Sequence, residues 1–132
     1  MTENVLKKII EKKSEKIENL KKTISPDSLD ELINSNRIFL NFKEKIENNI
    51  KENKFSIIAE IKKASPSAGT IIKDYDPVKI ANIYNDYKAT CLSVLTEEDY
   101  FLGNLTHIGK IKQKIDLPIL CKDFFVDKFQ IP

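Results

Sequence analysis

Phe55-Ser56-Ile57-Ile58-Ala59-Glu60-Ile61 is the stretch that decides the fold. A short apolar run with β-branched residues suits a strand covered on both faces. The loop after it, Lys62 to Asp76, is rich in Ser, Pro and Gly, and Pro77 then opens a helix bearing Val78, Ile80, Ala81, Ile83, Tyr84 and Tyr87. Thr90-Cys91-Leu92-Ser93-Val94-Leu95 repeats the strand texture. Leu105, Ile108, Ile111 and Ile115 repeat the helical period, and Pro118-Ile119-Leu120-Cys121 is a third strand. Strand and helix therefore alternate at about thirty residues per unit, the length of a βαβ element. Such connections imply parallel strands, in an open doubly wound sheet or in part of a closed barrel, and periodicity alone does not separate the two. In both architectures the polar residues that end successive strands share one edge, where active sites lie.

Upstream the texture is different. Val5, Leu6, Ile9, Ile10, Ile17, Leu20 and Ile24 recur at three- and four-residue steps, the period of an amphipathic helix whose other face is Lys and Glu. Ser25-Pro26-Asp27 supplies an N-cap and a proline at the first helical position of a second helix with Leu29, Leu32 and Ile33, which Asn34-Ser35-Asn36 ends. Phe42, Ile46 and Ile50 mark a third helix that runs to about Glu52. The expected organisation is a helical extension over residues 1–54 and a strand-helix region over 55–132.

Composition narrows the function classes. The chain has 132 residues, 41% of them hydrophobic, enough for one compact domain. Lys and Arg number 22 against 20 Asp and Glu, and the +2 balance is interspersed rather than gathered into a basic block, which argues against nucleic-acid binding. The N-terminus has neither a signal-peptide core nor a long apolar span, so no membrane partner is expected and the cytoplasm is the default location. Cys91 and Cys121 lie in apolar runs without metal or disulfide spacing and read as reduced, buried thiols. His107 stands alone in a helical pattern, without the partners of a metal site or a nucleophilic triad, and reads as a surface or boundary residue. With Gly69, Gly103 and Gly109 the only glycines, no nucleotide-binding glycine loop can be built.

The strand ends carry the candidate chemistry. Glu60 and Lys62 are two apart and share a face, and Lys122, at the end of the third strand, shares a face with Leu120. The second strand ends in Thr96-Glu97-Glu98-Asp99. Singly, each charge is explained as well by an ordinary strand end reaching solvent. Two lysines and a glutamate converging at one mouth are better explained as a site, since a lysine beside a carboxylate can donate a proton or bind an anion.

Three strings then carry a resemblance. Ile58-Ala59-Glu60-Ile61-Lys62-Lys63-Ala64-Ser65-Pro66-Ser67 resembles the first-strand signature of indole-3-glycerol phosphate synthases. Ser93-Val94-Leu95-Thr96-Glu97 with Tyr100-Phe101-Leu102-Gly103 is similar to that family's second strand and loop, and Leu117-Pro118-Ile119-Leu120-Cys121-Lys122-Asp123-Phe124 to its third strand. Leu6-Lys7-Lys8-Ile9 and Asn41-Phe42 look like its extra helices before the barrel. The resemblance implies the N-terminal part of an α/β (β/α)₈ TIM barrel, comprising extra helices and about three βα units. It implies a carboxy-lyase of tryptophan biosynthesis that closes an indole ring from the phosphorylated substrate 1-(2-carboxyphenylamino)-1-deoxyribulose 5-phosphate, losing carbon dioxide and water, without cofactor or metal.

By that resemblance Lys122 is the general acid that protonates the substrate carbonyl oxygen. Glu60 is a catalytic carboxylate that orients the lysine and keeps it charged, and Lys62 holds a substrate anion and assists proton transfer. Ser65 and Pro66 lie beside the substrate, and Phe101 and Phe124 form an apolar wall around its ring, although plain packing explains the two phenylalanines nearly as well. Ala68 stands where the family commonly has lysine, and Lys88 where a helix-ending glycine is usual. Phe129-Gln130-Ile131-Pro132 matches the start of the helix after the third strand. The remaining five strands of such a barrel, with the family's general-base glutamate and phosphate loops, would lie beyond Pro132. The expectations are little activity from this chain alone and a second chain supplying the rest of the barrel, or else a non-catalytic interaction protein that pairs through its open sheet edge.

Overall fold

The computed structural model describes residues 3–33 and 38–131, so the Asn34-Ser35-Asn36 helix stop and Pro132 lie outside the described residues. The chain divides into two compact units, Met1–Ile38 with Phe124–Pro132, and Phe39–Asp123.

In the first unit, helix α1 (Glu3–Thr23) follows the apolar period and buries Ile9 and Ile17, eight residues apart and hence on one face. Helix α2 (Pro26–Ile33) starts as its sequence dictates, with the Ser25 hydroxyl accepting from the Ser28 amide at 3.2 Å and Pro26 at the first helical position. Near the other chain end, a helix start gives way to a single 3₁₀ turn, Lys128–Gln130. A reciprocal cap fixes this turn. The Asp127 carboxylate accepts from the Phe129 amide at 2.8 Å, and the Gln130 side-chain oxygen accepts from the Val126 and Asp127 amides at 2.7 and 3.1 Å. The other Asp127 oxygen meets Lys21 Nζ of α1 at 2.7 Å.

The second unit opens with α3 (Phe42–Lys51), N-capped by Asn41, whose side chain accepts from the Glu44 amide. Strand β1 (Ile58–Ile61) is shorter than the apolar run. Residues 55–57 are exposed, Phe55 at 97%, and Ile57 is joined to Thr90 only through the Thr90 hydroxyl and backbone at 2.9 Å. Asn49 of α3 ties this region down, donating to Phe55 O, Ser56 Oγ and Thr90 Oγ1 at 3.1–3.3 Å. The loop after β1 holds a small antiparallel hairpin that periodicity did not reveal, β2 (Ala64–Ser65) with β3 (Gly69–Thr70). Helix α4 (Pro77–Asp86) is capped by Asp76, which accepts from the Val78 and Lys79 amides. Strand β4 (Cys91–Leu95), helix α5 (Thr106–Lys112) and strand β5 (Ile119–Lys122) complete the unit.

The sheet is parallel, in the order β1-β4-β5, with Glu60 level with Ser93, Ser93 with Leu120, and Leu95 with Lys122. Alternation sends Ala59, Ile61, Leu92, Val94 and Ile119 to one face, where they pack with Ala81 of α4, Ile111 of α5, and Ile115 and Leu117. The opposite face carries Ile58, Glu60, Cys91, Ser93, Leu95, Leu120 and Lys122. Only the central strand is covered on both faces, each of its five residues being buried. On the flanking strands Ile58 is 49% and Leu120 47% exposed, which corrects the expectation of a first strand buried on both sides. Cys91 is buried, with its sulfur 4.0 Å from the Phe42 carbonyl oxygen, and Cys121 is half-buried; neither is in a disulfide among the described residues.

Candidate functional site

Parallel strands in register bring their C-terminal ends to one edge, and there Glu60 lies between two lysines. One carboxylate oxygen is 3.1 Å from Lys62 Nζ and the other 3.3 Å from Lys122 Nζ. The bridge follows from the register: Glu60 and Lys122 flank β4 on the same sheet face, and Lys62 is two residues beyond Glu60 on the same strand direction. Partial burial pushes the Glu60 carboxyl up, but the hydrogen bonds from Lys62 and Lys122 together outweigh it, so the group sits below its ordinary value. Glu60 is thus held as a carboxylate, and the cluster carries two positive charges against one negative. It attracts an anion while keeping an ammonium proton beside an acceptor. The Glu60 carbonyl oxygen also accepts from the Tyr84 hydroxyl of α4 at 3.1 Å, which fixes the end of β1.

The other sequence-derived positions fall as follows. Ser65 is in β2 and its hydroxyl accepts from the Ala68 amide at 3.2 Å, with Pro66 next to it in the hairpin turn. Phe101 is half-buried in the loop after β4. Phe124 belongs to the first unit, where its carbonyl accepts from Gln130 Nε2 at 3.0 Å. The structure therefore brings Glu60, Lys62 and Lys122 together directly.

Two residues near this edge were given no site role in the sequence reading. Glu97 does not reach solvent as a strand-end charge would; it is 2% exposed, and its carboxylate accepts from the amides of Asp99, Tyr100 and Phe101 at 2.8, 2.8 and 2.9 Å. Ser93, level with Glu60 on the same face, has a buried hydroxyl oxygen without a hydrogen-bond partner. Thr96, also buried, donates to the Asp123 carboxylate at 2.7 Å and so ties the end of β4 to the residue after Lys122. Among the described residues no group of three or more His, Cys, Asp or Glu is placed to hold a metal ion, and no helix is long and apolar enough to cross a membrane.

A cavity of about 760 Å³ lies within the first unit between Ile24, Leu29, Ile33 and Ile131. The charged cluster instead stands on an open sheet face. The chemistry is better read from the cluster, because converging titratable groups mark a site more specifically than apolar concavity.

Comparison with known proteins places the chain beside one family. The family model for indole-3-glycerol phosphate synthase matches residues 6–132. The chain is 48% identical over 122 residues to an indole-3-glycerol phosphate synthase of Clostridium acetobutylicum, covering 92% of this chain and 45% of that protein. It is 41% identical over 132 residues to one of Priestia megaterium, covering 96% and 46%. It is 41% identical over 138 residues to the tryptophan biosynthesis protein TrpCF of Buchnera aphidicola, covering 99% and 28%. The chain spans less than half the length of each of these relatives.

Proposed function

The chain belongs to the indole-3-glycerol phosphate synthase family, and from that premise we propose that its Glu60-Lys62-Lys122 cluster serves the family's ring closure. The substrate is 1-(2-carboxyphenylamino)-1-deoxyribulose 5-phosphate. The observation that carries the reading is the Glu60 carboxylate shared between two lysines, one oxygen to each.

In this mechanism Lys122 gives a proton to the substrate carbonyl oxygen as the ring carbon attacks, so that a carbon-carbon bond forms and the oxygen becomes a hydroxyl. Loss of carbon dioxide from that ring carbon and then of water leaves the indole. Glu60 aims Lys122, and Lys62 neutralises a substrate anion. Ser65 and Pro66 lie beside the substrate, and Phe101 walls its ring. Residues 1–54 act as a helical extension and residues 55–132 as the first three strands of a TIM barrel. The biosynthetic role places the chain in the cytoplasm.

The half-exposed Ile58 and Leu120 on the cluster's face favour further strands packing there, and a second polypeptide carrying such strands is the partner of this reading. The test is to mix the 132-residue chain with the C-terminal portion of the Clostridium acetobutylicum relative and follow indole fluorescence. Product is expected from the wild-type mixture, little from the chain alone, and none from a Lys122→Ala mixture. Lys122→Ala should fold normally, since an exposed ion pair contributes about 1 kcal/mol or less. A Lys122→Ala mixture as active as the wild type would remove Lys122 from the mechanism. Stable assembly without turnover would favour a non-catalytic pairing role.

A further inference from the structure

We infer that Glu97 is a positioning residue that sets Phe101, and through it the apolar wall proposed for the substrate's aromatic ring; this part of the inference rests on the reading above. A carboxylate is expensive to bury unless its lone pairs are satisfied, and a surface loop gives no reason to bury one. Glu97 is nevertheless buried, and every hydrogen bond to its side chain comes from a backbone amide of its own loop. Oε1 accepts from Asp99, while Oε2 accepts from both Tyr100 and Phe101. Its main-chain oxygen accepts from Gly103 at 2.8 Å, so one residue closes the loop from both its side chain and its backbone.

The loop needs such an anchor. Leu102 has φ 53, in the left-handed region that a residue with a β-carbon rarely adopts. Gly103 lies so close under β4 that a β-carbon there would stand 2.2 Å from the Leu95 carbonyl oxygen. The chain therefore turns sharply immediately after Phe101, and the direction of the Phe101 side chain follows from where its amide is held. Glu97 holds that amide. A preorganised ring wall needs this fixity, because a displacement of order 1 Å at a positioning residue can cost up to about 10²-fold in rate.

Replacement chemistry distinguishes positioning from mere folding support. Glu97→Gln keeps shape and one oxygen. That oxygen serves best at the Oε2 position, where two amides converge, leaving the new NH₂ facing the Asp99 amide. Glu97→Ala frees all three amides.

The experiment measures the Phe101 side-chain rotamer by three-bond couplings to Cγ, with amide exchange at Asp99, Tyr100 and Phe101, in the 132-residue wild type and both variants. A single Phe101 rotamer is expected in the wild type. Glu97→Gln should speed exchange mainly at Asp99 with modest averaging at Phe101, and Glu97→Ala should average Phe101 fully while core signals from Leu92 and Val94 stay unchanged. An unmoved Phe101 rotamer in a folded Glu97→Ala, or in Glu97→Gln should Glu97→Ala not fold, overturns the inference. A second arm, in the mixture described above, separates this failure from failure of the functional reading. There, Glu97→Ala should lower kcat/KM about tenfold and add nothing further in a Phe101→Ala background. A Phe101 that loses its rotamer without loss of turnover would leave Glu97 as its anchor and remove Phe101 from the substrate wall.

Discussion

Opposed effects meet on the Glu60 carboxyl group: partial burial favours the neutral form, and the Lys62 and Lys122 hydrogen bonds favour the charged one and win. In the unfolded chain Glu60 titrates near its ordinary 4.5, so the folded state gains stability from the ionised cluster above that pH and loses it as pH falls through the depressed value. A carboxyl NMR titration should give Glu60 a midpoint below 4.5, and with both lysines replaced by methionine burial alone should lift it above 4.5. A midpoint unmoved by the double replacement would mean that the lysines do not hold it. His107 is also held low, but there it is the neutral form that the fold favours. Burial first, then Lys110 and Lys63, hold it below its ordinary 6.5, so the unfolded chain binds a proton that the folded chain resists. Stability should therefore decline as pH drops through about 6.5, and His107→Gln should flatten that slope in urea melts at pH 5.5 and 7.5. The Glu60-Lys62 pairing was legible in the sequence because a two-residue offset puts both on one strand face. The buried state of Glu97 was not, since nothing in a run of Thr-Glu-Glu-Asp says which acid turns inward.

At the scale of elements, local hydrogen bonds decide where the periodic segments begin and end. Asp76 accepts from two amides of the first turn of α4, so Asp76→Ala should cost about 1 kcal/mol in chemical denaturation. Lys88 ends the turn after α4 at φ 63, the backbone that the sequence comparison with a usual glycine had anticipated. Lys88→Gly should therefore be neutral or stabilising by up to about 1 kcal/mol, whereas a loss of stability would show that the lysine side chain supports the fold. Gly103→Ala should be severely destabilising, because the Leu95 carbonyl already fills the space. The helices and strands were readable from their periods, while three features escaped for separate physical reasons. Residues 55–57 look like strand but are exposed and held by Asn49 of α3 and by the start of β4 rather than as part of β1. The β2-β3 hairpin is too short to show alternation. The expected last helix gives way to a 3₁₀ turn because Asp127 and Gln130 cap each other within four residues.

For the whole molecule, the sheet has two outer strands, β1 and β5, each paired on one side only among the described residues. Unpaired strand edges beside half-exposed Ile58 and Leu120 are templates for further pairing, so sedimentation velocity should show association that grows with concentration and is reduced by Leu120→Lys. Association unchanged by that substitution would place the contact elsewhere. The parallel architecture was legible because strand and helix alternate at βαβ length. The coverage of its second face was not, because an apolar residue reads the same whether or not a further strand lies over it. The Lys21–Asp127 ion pair sets an order of events as the chain emerges from the ribosome. Its partners are 106 residues apart, whereas the sheet joins Ile58 to Cys91 and Leu92 to Ile119 across far shorter loops. Loop-closure entropy favours the nearer pairings. The contacts within the sheet are therefore favoured to form before α1 is fastened to Asp127.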